Sequence, residues 1–545
     1  MTSDGVSRRT LLGAAGAAGL AALAGPALAG CSTKAGGGGA TASAKVKLPT
    51  YRPFAGGEPD LPGSAQGLDP GYLSFPKDAK RSVSTAPGKG GTVTSLTYGE
   101  TQLPPAEGSN TYWQQLNSRL GVEHLKVRIG SDDYPTVFNS MVAGDNLPDL
   151  VWVAPNQGLQ HIAELAQAKF VDLTPHLSGD KVLKYPNLAN IQQYAWKTAV
   201  INGKIWGVAV PYGTFGQVYK VNTKLWEPVG GAVFHDATEF LDKCKQITHA
   251  KSNRYALENG QYTLQNCLHM VGEWHGVPNG WRESGGKLTY YIETDEYEAA
   301  LEFVVKLYKA GVFFPDPKMS NADDKMAQGA VAASVASFPG YLGSPRTVKY
   351  PVGAIVPFGF DGKATPTFDL GYGSVGFTAI RASGNDKRVE QLLGILDYLA
   401  APFGSAERNF LLYGTEGTHY RLDAHGNPQL TTKGQTETLL SGPLQFLANC
   451  PEYLYTPSNA QFTKDTYALE QKLLKIAQPN PTSGHYSDTN TSKGPTLAQL
   501  YSDFVADVVQ GRKPISALKQ LRSDWRSGGG DKIRHEFEQS IAKDS

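Results

Sequence analysis

The sequence has little that would bind nucleic acid or form a disulfide scaffold. Its 545 residues include 4 cysteines, and 51 basic side chains balance 50 acidic ones, for a formal net charge of +1. So few cysteines do not make a disulfide-stapled protein, and a nearly neutral chain lacks the positive field that attracts phosphate backbones. We therefore expect no nucleic-acid partner. The 61 glycines and 34 prolines also argue against a helical bundle.

Phosphate and metal motifs are also missing from the sequence. None of its Gly-Lys pairs is followed by Ser or Thr, as a P-loop requires. Gly371–Gly376 matches G-x-G-x-x-G, but strand-like residues follow it where a dinucleotide site needs a helix. The 11 histidines are scattered, and no Asp-rich loop has calcium spacing. We expect no cofactor and no metal.

Residues 1–30 have the layout of an export signal. Arg8 and Arg9 precede an uncharged Ala/Gly/Leu stretch that ends at Leu28-Ala29-Gly30-Cys31, which is the usual order of charged, apolar and small-residue regions. A transmembrane anchor is the alternative, although Ala and Gly have little surface to place in lipid. The paired arginines resemble a twin-arginine signal, and Leu28-Ala29-Gly30-Cys31 resembles the lipobox of bacterial lipoproteins. That resemblance implies lipidation of Cys31.

Composition divides the next part of the chain. Residues 31–48 are rich in Gly, Ala and Ser, which predicts a flexible tether. Residues 49–90 are rich in proline and carry aromatic side chains, which indicates an arm laid over the folded body. Cys244, Cys267 and Cys450 remain after Cys31; a Cys244–Cys267 disulfide and free buried thiols are both open.

Strand and helix patterns alternate from residue 92 onward. Strands are predicted over 92–98, 122–129 and 149–153, with helices over 112–121 and 134–143 between them. This β-α-β-α-β order predicts an α/β fold with a mostly parallel sheet. Later helices are predicted over 297–308, 389–399 and 497–508, the last with a capping box at Thr496 and Gln499.

Short motifs, in order along the chain, resemble those of the extracellular solute-binding proteins of bacterial ABC importers. The matching segments are 141–150, 170–175, 202–211 and 307–315, and Tyr413–Tyr420 resembles a segment of the large sugar-binding lipoproteins. The resemblance covers Gly91 to the C-terminus. It implies an α/β, two-lobe fold of the periplasmic-binding-protein type II class, with interwoven lobes and a hinge.

The resemblance also implies where the lobes begin and end. We expect the N-terminal lobe at 91–210, the C-terminal lobe at 211–352, a return to the N-terminal lobe at 353–410, and a crossing followed by C-terminal helices on the second lobe at 411–545. The expected crossings between lobes are Gly207 to Tyr219, Gly353 to Phe377 and Phe410 to Tyr420.

A sugar site needs aromatic rings for stacking and planar polar groups for the hydroxyls. The predicted ligand contacts are Trp152, Trp206, Tyr212, Trp274, Tyr341, Tyr372, Glu416 and His419. Core or hinge packing is the alternative for the rings, and a capped turn with an ion pair is the alternative for Glu416 and His419.

These features predict a monomeric lipoprotein receptor, not an enzyme, anchored to the outer face of the cell membrane through lipid on Cys31. It would capture a carbohydrate ligand and deliver it to the membrane permease of an ABC importer. Three alternatives stay open: an exported lyase or hydrolase acting on carbohydrate, a receptor for peptides, and an adhesion protein without a small ligand.

Overall fold

The computed structural model describes residues 46–99, 103–131, 133–154, 159, 161–260, 263–317, 319 and 321–544. The predicted signal, Cys31 and the tether as far as residue 45 lie outside these ranges.

Within the described ranges the strands are β1 (Gly71–Tyr72), β2 (Thr92–Tyr98), β3 (His124–Gly130), β4 (Leu150–Val153), β5 (Val200–Ile201), β6 (Lys204–Ile205), β7 (Val208–Pro211), β8 (Gln217–Asn222), β9 (Tyr255–Leu257), β10 (Trp281–Ser284), β11 (Lys287–Tyr290), β12 (Val331–Ser337), β13 (Val352–Ala354), β14 (Phe368–Asp369), β15 (Ser374–Ile380), β16 (Tyr420–Leu422), β17 (Pro428–Leu430), β18 (Leu454–Tyr455) and β19 (Ala477–Gln478).

The α-helices of the same ranges are α1 (Thr111–Leu120), α2 (Tyr134–Ala143), α3 (Ile162–Lys169), α4 (Thr174–Leu177), α5 (Pro186–Ala189), α6 (Gln193–Trp196), α7 (Thr223–Trp226), α8 (Ala237–Ile247), α9 (Thr263–His275), α10 (Asp295–Lys309), α11 (Ala322–Ala327), α12 (Phe338–Thr347), α13 (Asp386–Leu399), α14 (Ala406–Tyr413), α15 (Thr432–Glu437), α16 (Ser441–Leu444), α17 (Ala460–Leu474), α18 (Asp488–Val509), α19 (Leu518–Trp525) and α20 (Asp531–Asp544). No helix in the described ranges combines the length and the apolar character needed to cross a bilayer.

The N-terminal lobe is built on a five-stranded sheet in the order β3-β2-β4-β15-β7. β2 pairs in parallel with both β3 and β4, as the alternating pattern predicts. β15 inserts antiparallel between β4 and β7, so it returns after the chain has passed through the other lobe. The helix α1 follows from local signals: the Asn110 side chain accepts the Trp113 N–H at its start, and Gly121 ends it with a φ of 68°.

The C-terminal lobe has a four-stranded sheet in the order β13-β8-β12-β9. β12 is antiparallel to β8 and parallel to β9. The core of the C-terminal lobe includes residues from α8, α9, α10 and the C-terminal helices α18 to α20. The two lobes are interwoven, because β15, α13 and α14 belong to the N-terminal lobe whereas α18 to α20, at the end of the chain, belong to the C-terminal lobe.

Residues 411–448 correct the expected boundary of the second lobe. Leu411, Leu440 and Leu444 are buried in the same core as Leu116 of α1, so this stretch packs on the N-terminal lobe. Phe410 to Tyr420 is therefore not a crossing. The chain changes lobes after this stretch, because α17 contributes to a core shared with β8 and α12. An apolar stripe shows that a helix face is buried, but not which core covers it.

The start of α18 also differs from the prediction. The helix begins at Asp488, where the Ser487 side chain accepts the Asn490 N–H, and it continues through Pro495. Glu536 of α20 supports this first turn by accepting from Thr489 N–H at 3.0 Å. The support comes from a helix distant in sequence, so the local pattern at Thr496 could not reveal it.

Residues 46–90 lie along the folded body. β1 pairs in parallel with β18, and the ring of Tyr72 packs against Phe403 at a centroid separation of 4.8 Å. Further along, Ser82 donates its N–H to Glu407 at 2.7 Å and its hydroxyl at 2.9 Å. The proline-rich arm is thus part of the folded structure.

Candidate functional site at the hinge

One edge of the N-terminal sheet gathers the ends of several strands. Tyr98 at the end of β2 lies opposite Gly130 at the end of β3, and Pro211 at the end of β7 lies opposite Ser374 at the start of β15. Because the parallel strands end here, this is the edge at which open α/β sheets bind ligands.

Two chain segments leave this edge side by side and enter the C-terminal lobe. Residues 211–217 connect β7 to β8, and residues 368–374 connect β14 to β15. Gly371 donates its backbone N–H to Thr214 O at 2.8 Å, which joins the two segments. We call this pair of segments the hinge ribbon. Both lie within the crossings that the sequence predicts, at 207–219 and 353–377.

Glycine allows the two segments of the hinge ribbon to approach closely. A Cβ on Gly216 would lie 2.5 Å from the carbonyl oxygen of Asp369, which is too close for any side chain. Gly373 has a φ of 64° and accepts a hydrogen bond from Tyr212 N–H at 3.2 Å. This left-handed conformation suits glycine, because it lacks a Cβ.

The hinge ribbon carries two exposed tyrosines. Tyr212 is 41% exposed and Tyr372 is 55% exposed, and they are the only exposed large aromatic side chains among the described residues. Exposed aromatic faces are costly to leave in water and are well suited to stacking on the C–H face of a sugar. Their position at the ligand-binding edge makes the hinge ribbon the centre of the candidate site.

The two tyrosines have different electrostatic surroundings. Burial raises the pKa of Tyr212, and the charge of Glu452 adds to the rise. Burial also raises the pKa of Tyr290 in the C-terminal lobe, and the phenols of Tyr501 and Tyr372 add to that rise. The charge of Glu452 thus acts on Tyr212, whereas the phenol of Tyr372 acts on Tyr290 of the C-terminal lobe, and burial raises the pKa of Tyr372 as well.

Buried acids lie close to Thr214 of the hinge ribbon. Thr214 donates its hydroxyl to Tyr194 Oη at 2.8 Å, and burial raises the pKa of Tyr194 with further contributions from Asp69 and Glu452. Asp69 N–H donates to Glu470 Oε2 at 3.1 Å. Burial raises the pKa of both these carboxyl groups. The raised pKa values favour the uncharged forms, so these buried acids offer an anionic ligand no positive partner.

Trp152 and Trp206 are core residues of the N-terminal lobe, which corrects their prediction as ligand contacts. Trp152 is 2% exposed and packs between Tyr98 and Phe446. Trp206 is 4% exposed and donates its indole N–H to Ile201 O at 3.1 Å. A ring without accessible surface has no face to offer a sugar.

Trp274 and Tyr341 are core residues of the C-terminal lobe, which corrects the same prediction for them. Trp274 lies in α9 instead of a loop and is 1% exposed. Its ring centroid lies 4.3 Å from that of Phe358. Tyr341 lies in α12, is 2% exposed and packs against Phe462 at 5.2 Å.

His419 supports the structure instead of facing a ligand, which is a further correction. It is fully buried, its Nδ1 accepts Thr415 N–H at 3.0 Å, and its Nε2 lies 3.2 Å from Glu437. Because Nδ1 is an acceptor, the ring proton is on Nε2. This resembles the capped turn that the sequence left as the alternative, except that a neutral His419 is hydrogen-bonded to Glu437 in place of an ion pair. Glu416 has an exposed side chain, and its ligand contact stays a prediction.

Sequence reasoning missed two polar residues that hold the hinge ribbon. Asn279 donates its amide to Leu370 O at 2.8 Å and to Gln478 O at 3.0 Å. Gln478 in turn donates to Thr367 Oγ1 at 3.1 Å. These residues come from three separate stretches of the chain, and no local motif marks them. The three cysteines of the described residues are free and buried.

The family comparison agrees with this architecture. Residues 112–393, more than half of the chain, match the family of bacterial extracellular solute-binding proteins. The chain belongs to that family. The two-lobe α/β fold described above is shared by solved structures of solute-binding proteins.

Similar proteins extend over most of this solute-binding protein. The polygalacturonan/rhamnogalacturonan-binding protein YtcQ of Bacillus subtilis (strain 168) is 21% identical over 464 residues, covering 81% of this chain and 89% of the relative. The lipoprotein LipO of the same organism is 22% identical over 451 residues, covering 77% and 86%. The crystal structure of the N-glycan transport solute-binding protein NgtS of Streptococcus pneumoniae superposes with a TM-score of 0.58 at 14% identity, covering 83% of this chain and 98% of that chain.

Proposed function

We propose that this solute-binding protein captures an oligosaccharide between its lobes and delivers it, chemically unchanged, to the membrane permease of an ABC importer. The observation that carries the proposal is the pair of exposed tyrosines on the hinge ribbon, Tyr212 and Tyr372. Relatives named for binding polygalacturonan or transporting N-glycans support a carbohydrate ligand.

The mechanism is closure of the lobes on the ligand. Rings on the hinge ribbon form the floor of the cleft, and contacts from both lobes stabilise the closed form, which the permease recognises. Such a cycle needs no covalent step, so a catalytic motif is not required. Glu416 is proposed as an additional polar contact because its side chain is exposed.

We propose that the ligand is a neutral oligosaccharide. Tyr212 lies near Glu452, and the carboxyl groups of Asp69 and Glu470 lie close to the same flank. Burial favours the protonated, uncharged forms of these acids, which give the carboxylate of a uronate no positive partner, whereas the hydroxyl groups of a neutral sugar need none.

Calorimetric titration with neutral oligosaccharides, uronate oligomers and peptides tests these statements. We expect saturable binding of a neutral oligosaccharide, and chromatography of the mixture should return the ligand intact. Products in excess of the protein would establish the enzyme instead. Tight binding of a peptide, or no binding by any sugar, would refute the carbohydrate proposal.

We also propose that the mature protein is a monomer held at the outer face of the membrane by lipid on Cys31. The lipobox-like Leu28-Ala29-Gly30-Cys31 supports this, as does a relative named as a lipoprotein. Cys31→Ser should release the protein from the membrane fraction, and continued membrane association of this variant would contradict the proposal.

A further inference from the structure

The geometry points to a binding site for a divalent transition-metal ion, formed by His269, Glu273 and Asp369 where the C-terminal lobe meets the hinge ribbon. Zn²⁺ is the ion that matches its ligands best. The proposal does not depend on the identity of the sugar.

Two helix residues and one hinge residue converge at this site. His269 and Glu273 lie one turn apart on α9, so their side chains share a face of the helix. Asp369 ends β14 at the root of the hinge ribbon. One ligand atom from each residue lies within 4.8 Å of the other two. The sequence could not show this group, because Asp369 is far along the chain from α9.

The separation of His269 and Asp369 fits a shared ion. His269 Nε2 lies 3.5 Å from Asp369 Oδ2, which is long for a direct hydrogen bond. Zinc binds His nitrogen and carboxylate oxygen at about 2.0–2.2 Å, so two of its tetrahedral ligands lie about 3.4 Å apart. Glu273 offers the third protein ligand, since its carboxylate oxygen lies within 4.8 Å of the other two ligand atoms.

Neighbouring groups already orient both carboxylates. Gln478 donates its amide to Asp369 Oδ1 at 2.6 Å, which leaves Oδ2 directed toward His269. Asp369 N–H donates to Glu273 Oε1 at 2.8 Å. Metal sites depend on such outer partners to hold their ligands in place.

The burial of two acids side by side calls for positive charge. Glu273 is 2% exposed and Asp369 is 7% exposed, so two carboxyl groups are buried next to each other. A divalent ion would compensate both carboxylates at once. The His269 side chain is 40% exposed, which provides an entry path and room for a water ligand. One nitrogen and two carboxylate donors suit Zn²⁺ better than Ca²⁺ or Mg²⁺, which favour six or more oxygen ligands.

Titration of the metal-free full chain with Zn²⁺ tests the site. After removal of metals by a chelator, we expect one equivalent of Zn²⁺ to bind by calorimetry and the melting temperature to rise. Co²⁺ in place of Zn²⁺ should give the visible absorption of a tetrahedral site. His269→Ala and Glu273→Gln should each weaken Zn²⁺ binding at least about tenfold.

Two histidine variants serve as controls. His161, Glu164 and Asp488 form a second group of close metal-ligand side chains, all exposed. His425 is exposed in a turn and belongs to neither group. His161→Ala and His425→Ala should leave Zn²⁺ affinity unchanged. The proposal is overturned if no Zn²⁺ binds, if His269→Ala binds as well as the wild type, or if His161→Ala removes the binding. His269 is partly exposed, so its variant should fold, and circular dichroism checks this.

Discussion

Replacing the tyrosines of the hinge ribbon tests the candidate site most directly. Tyr212→Ala and Tyr372→Ala remove the two exposed aromatic rings, whose exposed fractions are 41% and 55%. Side chains with so much surface in water contribute little to the free energy of unfolding, so each variant should stay within about 0.5 kcal/mol of the wild type. Their effect should fall on ligand binding instead.

The size of that effect follows from the remaining exposed surface. Full burial of a large apolar side chain is worth about 1.5–3 kcal/mol. Since Tyr372 is 55% exposed, a ligand that covers its ring gains about half of this, or about 0.8–1.6 kcal/mol. Loss of that gain weakens binding by about four- to fifteenfold. Tyr212, which has slightly less exposed surface, should show a somewhat smaller loss.

Calorimetry with the best oligosaccharide from the screen measures both affinities, and urea unfolding measures both stabilities. Tyr212→Phe and Tyr372→Phe are the matched controls, because they keep the ring and remove only the hydroxyl. Should only one alanine variant bind more weakly, the ligand lies on that tyrosine's side of the ribbon. Unchanged affinity in both alanine variants would refute the assignment of the site to the hinge ribbon.

Three other predictions concern buried residues. Trp274→Ala should lower the free energy of unfolding by about 3–5 kcal/mol in a urea titration, because its indole is 1% exposed; weaker ligand binding without destabilisation would contradict its core position. Burial raises the pKa of Glu258 to about 7. Its contribution to the free energy of unfolding is therefore complete below about pH 4.5 and is lost as the pH rises through 7, a loss of up to about 3 kcal/mol. Glu258→Gln should abolish this loss when unfolding is measured at pH 5 and pH 8. Burial acts to raise the pKa of Glu437, but hydrogen bonds from Thr111 and His419 outweigh this effect and lower the pKa to about 2. The free energy of unfolding of the wild type should therefore fall as the pH falls from about 4.5 toward 2. For Glu437→Gln, the free energy of unfolding should depend less on pH over this range. Equal acid profiles for the two proteins would contradict that assignment.

Local patterns predicted the framework of the N-terminal lobe well. The predicted strand over 92–98 and helix over 134–143 match β2 and α2 residue for residue. The signals are the spacing of apolar residues, with a period of two in strands and 3.6 in helices, and residues that end a helix, such as Gly121. Each of these signals extends over only a few neighbouring residues. The predicted start of α18 was wrong, because the true first turn is stabilised by Glu536, which lies far along the chain.

The candidate site was only partly predictable. The two segments of the hinge ribbon lie within crossings predicted from the sequence, and its exposed tyrosines are among the predicted ligand contacts, whose role at a ligand stays a prediction. It also placed Trp152, Trp206, Trp274, Tyr341 and His419 at the ligand, and all five are buried. Aromatic residues serve cores and sugar sites equally well, because both use the same apolar ring. A residue's type therefore does not reveal whether its ring faces protein or solvent.

The sequence by itself determined the family and the α/β class, because both are encoded in short stretches of neighbouring residues. The tertiary structure alone decided which lobe received residues 411–448, which aromatic rings remained exposed, and that Asp369 came to lie beside His269. These outcomes depend on contacts between residues far apart in the chain, and their energies are settled only when the cores form and each side chain acquires its neighbours.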